Sequence, residues 1–191
     1  MRLLFAVAAL VAIGAPVAAF DPCDDLWFTR NLLFARNGYC FASPLGQAVF
    51  GNEGCYTSDT GLDGQERDVL ADVRDREKAL ECHVDNQRQH LDVDLIKQRK
   101  QMLDLPYATE FESACVGWLG PGLPIHNARH VDSHVIGHLQ KGDQIDFFHE
   151  ELVDEAGNDW FFITQRRNNS VVGVGWVFFG DDLDKCEMFA G

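Results

Sequence analysis

The spacing of apolar positions changes character along this chain. Residues 3–13 are uninterruptedly apolar, with Arg2 before them and the small residues Val17-Ala18-Ala19 after, which is the three-part pattern of a cleavable export leader. Leu26, Trp27, Leu33 and Phe34 then recur on one face of a helix, with Asp24 or Asp25 available as its N-cap and Asn37-Gly38 as its stop. Ser43-Pro44 opens a second, short helix through Ala48, Val49 and Phe50, because serine supplies a cap oxygen and proline lacks an amide that would be unpaired there. Asp63 and Glu66 form a capping box ahead of a polar stretch free of glycine and proline over residues 65–105. Its apolar stripe, Leu70, Val73, Leu80, Val84 and Leu91, is interrupted by Glu77 and Gln87, so the pattern predicts one or two amphipathic helices packed on the first pair, with a break near residues 86–92.

Beyond Leu105-Pro106 and Gly120-Pro121-Gly122 the period becomes two. Ile145 with Phe147, Trp160 with Phe162, and Val172, Val174 and Trp176 alternate as half-buried strands do, and Lys141-Gly142-Asp143, Ala156-Gly157-Asn158 and Asn168-Asn169-Ser170 supply turns between them. Short strands at this spacing predict a small barrel. The chain therefore reads as α+β: a leader over residues 1–19, a disulfide-stapled helical domain over 20–104, a linker over 105–121 and a barrel over 122–186. The ends of a barrel lie close together, which makes Cys115 with Cys186 the favoured pair, their Cα atoms needing to approach within about 7 Å.

Two resemblances add to this reading. Arg30-Asn31, then Phe34-Ala35-Arg36-Asn37-Gly38-Tyr39-Cys40-Phe41, then Phe50 resemble the YARHG domain, a presumed extracytoplasmic module of bacteria. The motif's histidine is Asn37 here, which keeps the turn but removes any function of an imidazole at that point. Ile125-His126-Asn127-Ala128-Arg129, the run from Val135 through Gly137 to Gly142-Asp143, Asp159-Trp160-Phe161 and Gly173-Val174-Gly175-Trp176-Val177 resemble the bacterial SH3-like domain, whose closing motif the last segment departs from by one residue. The resemblances imply fold and location outside the cytosol. They attach no catalytic centre.

Composition narrows the partners. Without residues 1–19, 172 residues remain, with 15 basic against 30 acidic side chains, a formal charge of −15. Nucleic acid, which is held by displacing counterions with Lys and Arg, is excluded as an expected partner, and basic partners are favoured; the same charge also serves plain solubility. The leader's apolar run is too short to span a bilayer, which takes about 20 residues. Cys23 follows Asp21-Pro22 and not the small apolar residues that precede a lipidated cysteine, so the expectation is a periplasmic or secreted protein that does not span the membrane. All six cysteines, Cys23, Cys40, Cys55, Cys82, Cys115 and Cys186, lie beyond the leader, and their even number fits three disulfides. Without a C-x-x-C pair, neither a redox nor a zinc-ribbon role is supported.

Candidate chemistry is sparse. His126, His130, His134 and His138 stand at four-residue intervals, but a turn and two strands there would scatter them; His134 with His138 is the pair that alternation keeps on one face, and no metal site or other cofactor is expected. No nucleophile or paired acid and base stands in a recognised context, so no enzymatic activity is expected. Trp160, Phe161, Trp176, Phe178 and Phe179 are more rings than a small barrel hides, and beside Glu150, Glu151 and Asp159 they predict a ligand groove built from Trp160, Phe161, Trp176 and Glu150. Arg30, Asn31, Arg36, Gly38 and Tyr39 are read as structural, with Arg36 holding helix-end carbonyls. The expected role is non-catalytic binding in the cell envelope, of a cell-wall peptide or glycan or of an envelope protein. An acidic inhibitor of a basic wall-degrading enzyme and a histidine-based metal binder are the alternatives. The sequence does not decide the oligomeric state.

Overall fold

The computed structural model describes residues 20–191; the expected leader lies outside the described residues. Helix α1 (Pro22–Arg36) is capped by Asp21, whose carboxylate accepts from the amides of Cys23 at 2.9 Å and Asp24 at 3.3 Å. Pro22 at the first helical position moves the start ahead of the expected caps, and Asp24 and Asp25 are buried instead. After Asn37, Gly38 adopts φ +74°, and a Cβ there would lie 2.1 Å from the ring of Tyr56, so only glycine fits this turn. Helix α2 (Pro44–Phe50) is capped by Ser43, and α3 (Gly64–Ala79) carries both halves of the Asp63–Glu66 capping box.

The polar stretch breaks at Leu80, earlier than residues 86–92. Glu81 takes φ +51°, and Cys82 is bonded to Cys23 at the start of α1, which draws the chain off the helix axis. The strand of chain that follows wraps beneath α1: Asn86 accepts from the Trp27 indole at 3.0 Å, and Leu91 joins Trp27, Phe28, Leu32, Leu45 and Val49 in one core. A four-residue helix, α4 (Ile96–Arg99), lies within this strap, which runs on to Leu105.

Eight strands form one antiparallel sheet: β1 (Ala108–Trp118), β2 (Pro124–His126), β3 (Val135–His138), β4 (Gln144–His149), β5 (Leu152–Val153), β6 (Asp159–Arg167), β7 (Ser170–Phe178) and β8 (Cys186–Ala190). The order is β3-β2-β7-β6-β4-β1-β8, with β5 on β6. Among the described residues β3 and β8 do not pair, so the sheet is not closed into a barrel. This corrects the expected barrel, and the expected linker over 105–121 is corrected with it. Its middle is β1, the longest strand, whose alternation is hidden between Pro106 and the glycine-proline punctuation. β7 returns from β6 through Asn168 (φ +50°) and Asn169 (φ +63°), a two-residue turn of the kind that matches strand twist.

Both sheet faces carry buried apolar side chains. One holds Trp118, Ile125, Leu139, Ile145, Ile163, Val177 and Phe179. The other carries Trp160, Phe162, Val174 and Trp176 against Met102, Leu95 and Leu105 of the strap. Three disulfides, Cys23–Cys82, Cys40–Cys55 and Cys115–Cys186, use every cysteine of the described residues; the last joins β1 to β8 with Cα atoms 5.4 Å apart.

Candidate functional site: an open phenylalanine groove

The first sheet face is filled at one end only. At the other, Phe147 on β4, Phe161 on β6 and Phe189 on β8 line a groove of about 520 Å³ with Leu183 and Phe111. Phe111 is 77% exposed and Phe189 53%, a large apolar display for side chains that alternate on the same face as the core. The local cause is a bulge. Between the pairs Ala108↔His149 and Ser113↔Phe147, β1 advances five residues while β4 advances two, so the surplus leaves the ladder. Thr109 holds it there: its hydroxyl accepts from the amide of Phe111 at 3.2 Å and donates to the Phe111 carbonyl at 3.0 Å.

Glu151 and Asp184 also line the groove. Burial, and then the neighbouring Asp159, push the Glu151 carboxyl above its ordinary range. Neither Glu151 nor Asp184 is ion-paired among the described residues. The groove therefore has an apolar floor and a rim of uncompensated negative charge.

Of the expected ligand residues, Phe161 lies in this groove and three do not. Trp160 and Trp176 are fully buried on the opposite face, their indoles donating to the Asp154 carboxylate at 2.9 Å and the Asp104 carbonyl at 3.1 Å. The strap over residues 95–105 covers them, which an isolated barrel would lack. Glu150 is turned away to α3, where it forms a two-pronged ion pair with Arg76. These are corrections. Phe111, Leu183 and Phe189 were not singled out in the sequence, and Phe147 only as a strand residue. The signal existed in part, since the Cys115–Cys186 pair sets Phe111 and Phe189 on neighbouring strands.

Beside the groove, His149 at the end of β4 reaches the other way, into a buried polar junction. Its Nε2 lies 3.2 Å from Oδ1 of Asp25 on α1, outside hydrogen-bonding geometry, and its side chain is 1% exposed. Arg99 of α4 grips the same carboxylate with both terminal nitrogens, one at 2.8 Å, and lies over the rings of Phe28 and Phe162. Burial alone would raise the Asp25 carboxyl, but the charge and hydrogen bonds of Arg99 hold it well below the ordinary range. Burial pushes His149 down, against the opposing pull of Asp25, so it is neutral at pH 7.

The motif residues serve the fold. Arg30 pairs with Glu77 at 3.0 Å, and the Asn31 amide donates to the Trp27 carbonyl at 2.8 Å. Arg36 donates to the carbonyls of Lys100, the C-cap of α4, and of Met102 just beyond it. Tyr39 packs on Phe34 and Phe41. His126 is buried edge-on to Trp160, His138 faces Pro124 across the β2–β3 pair, and no group of three or more potential ligands among the described residues is arranged to hold a metal.

The described residues thus combine an α-helical, disulfide-stapled half with an antiparallel sheet that carries an apolar groove. The chain belongs to the family described as Domain of unknown function (DUF4453), whose model matches residues 81–191, and the YARHG domain model matches residues 5–78. No curated protein and no solved structure matches the chain. The three disulfides and the YARHG match point to an extracytoplasmic protein, and no helix of the described residues is long and apolar enough to cross a membrane.

Proposed function

We propose that this is a non-catalytic binding protein of the cell envelope, periplasmic or secreted after loss of residues 1–19, that accepts a peptide segment of an envelope protein or of the cell wall in the phenylalanine groove. The observation that carries the reading is the half-filled sheet face: a core-type surface of Phe147, Phe161 and Phe189 left open, with Phe111 held out beside it. Burying such rings is worth about 1.5–3 kcal/mol each, enough for two or three of them to drive specific binding. The finer fold reading is an opened relative of the SH3-like barrel; the placement of residues 135–143 on β3 and its following turn, and of 173–177 on β7, supports it.

Calorimetric titration of the protein lacking residues 1–19 with soluble peptidoglycan fragments and with short apolar, lysine-bearing peptides tests the proposal. One of the two classes should bind saturably, and the Phe111→Ser/Phe189→Ser variant, which touches only exposed rings, should lose that binding while keeping its circular dichroism. Silence from both classes refutes it. The acidic rim also suits a basic secreted enzyme, and inhibition of a wall hydrolase on mixing would favour that second reading.

A further inference from the structure

The groove opens beside the free edge of the sheet. β8 is the last strand in the order, and among the described residues no backbone group outside β1 bonds to residues 187–190. Exposed edges are normally blunted by proline, by lysine or by shortness, because their unpaired amides and carbonyls invite another chain. Of the charged residues that can blunt an edge, β8 has only Glu187. It is five residues long, carries neither proline nor lysine, and presents Met188 at 57% and Phe189 at 53% exposure. The opposite edge, β3, has four residues. One end of the sheet is thus guarded by brevity while the other is left open.

Charge limits what can pair there. Glu187 lies within β8 and crosses β1 at Gly117, where a Cβ would come within 2.8 Å of its carboxylate. Glu110 and Glu112 flank Phe111 on the bulge, and Glu151 and Asp184 line the groove. None of these carboxylates is ion-paired among the described residues. A second copy of this chain would bring the same negative charge against them, whereas a cationic segment would neutralise it.

We propose that β8 is a docking edge for an extended cationic segment of a partner protein: the segment adds a strand alongside Cys186–Ala190, sets alternate apolar side chains into the phenylalanine groove, and brings Lys or Arg to the surrounding carboxylates. This rests on the groove being the binding surface and specifies how it is used. Side chains two apart on an extended chain fall on one face, so a single segment can satisfy backbone and groove together. Backbone pairing supplies affinity for any extended chain. The groove and the carboxylates select the alternating cationic-apolar one.

The test uses the full chain without its leader and two short peptides of identical composition, one alternating Lys with Leu or Phe, the other with the lysines and apolar residues in separate blocks. The alternating peptide should bind at least about tenfold tighter, a difference of about 1.4 kcal/mol. Amide hydrogen exchange over residues 187–190 should slow on binding. Methylating every second amide nitrogen of the alternating peptide, in each of the two registers, should abolish binding in one register and spare it in the other. Equal affinity for the block peptide, unchanged exchange at β8, or full affinity in both methylated registers overturns strand addition. The last result leaves the groove reading standing, because side chains alone would then hold the peptide, whereas loss of all peptide binding in the wild-type chain removes both. Self-association through β8 without peptide also overturns the proposal.

Discussion

Asp25 on α1 and Arg99 on α4 form a two-pronged ion pair whose side chains are 2% and 4% exposed. It joins the helical half to the strap and, through His149, to the sheet. Removing one partner leaves the other charge buried and alone, so Asp25→Asn and Arg99→Met should each cost about 3–5 kcal/mol in urea unfolding. The double variant Asp25→Leu/Arg99→Met removes both charges and should recover much of that loss. A double variant as unstable as the worse single one would show that the pair matters for shape and not for charge.

Stability should fall on mild acidification. The folded-state pKa of His149 is lowered below its ordinary 6.5 by burial, so the unfolded chain binds the proton more readily. Its contribution is full above the unfolded value and is lost as pH drops through and below it; the depressed Asp25 carboxyl adds a second loss at lower pH, beneath the ordinary carboxylate value of 3.8. The midpoint of thermal unfolding should therefore fall from about pH 7 to about pH 5, and His149→Asn should flatten that slope. An unchanged slope in the variant assigns the effect to other groups.

The tryptophans and the phenylalanine between them should part company. Trp160→Ala opens a cavity in a sealed core and should cost about 3–5 kcal/mol, with any loss of binding tracking the loss of fold. Phe161→Ala removes a half-buried groove ring and should weaken ligand binding at a smaller cost in stability, measured by unfolding and titration on the same samples. Trp160→Ala that folds normally and loses binding alone would return the site to the opposite face.

Cys115–Cys186 closes a span of 71 residues and ties the edge strand to β1. By the chain-entropy estimate its removal in Cys115→Ser/Cys186→Ser should cost about 4 kcal/mol, against about 3 kcal/mol for the span of 15 closed by Cys40–Cys55. Hydrogen exchange over residues 186–190 should accelerate in the first variant and not in the second. Equal exchange in both would mean that pairing with β1 holds β8 without the bridge.

Helix ends were the most legible features. Ser43-Pro44, Asp63 with Glu66, and Asn37-Gly38 act through contacts within a few residues, so local chemistry suffices to place them. The start of α1 was misplaced by a few residues because Pro22 favours an earlier cap, and the side chains of Asp24 and Asp25 are claimed by Arg88 and Arg99, far along the chain. The strap was the larger obstacle. Residues 80–105 look like a failing helix, and only the folded chain shows Leu91 beneath Trp27 and Met102 beneath Trp176. With that cover invisible, Trp160 and Trp176 counted as surplus rings, and the groove was sought on the wrong side of β6. Phe161 was legible because strand alternation sets its face, opposite to that of Trp160 and Phe162.

Arg36 has a wider implication. The arginine of a motif in the segment matched as YARHG spends its hydrogen bonds on the carbonyls of Lys100 and Met102, in the segment matched as DUF4453. Neither segment is finished without its neighbour: severed near residue 80, the first would keep Asp25 without Arg99 and the second Arg99 without Asp25. Contacts that bridge the boundary between the two family matches should make the two segments melt in one transition.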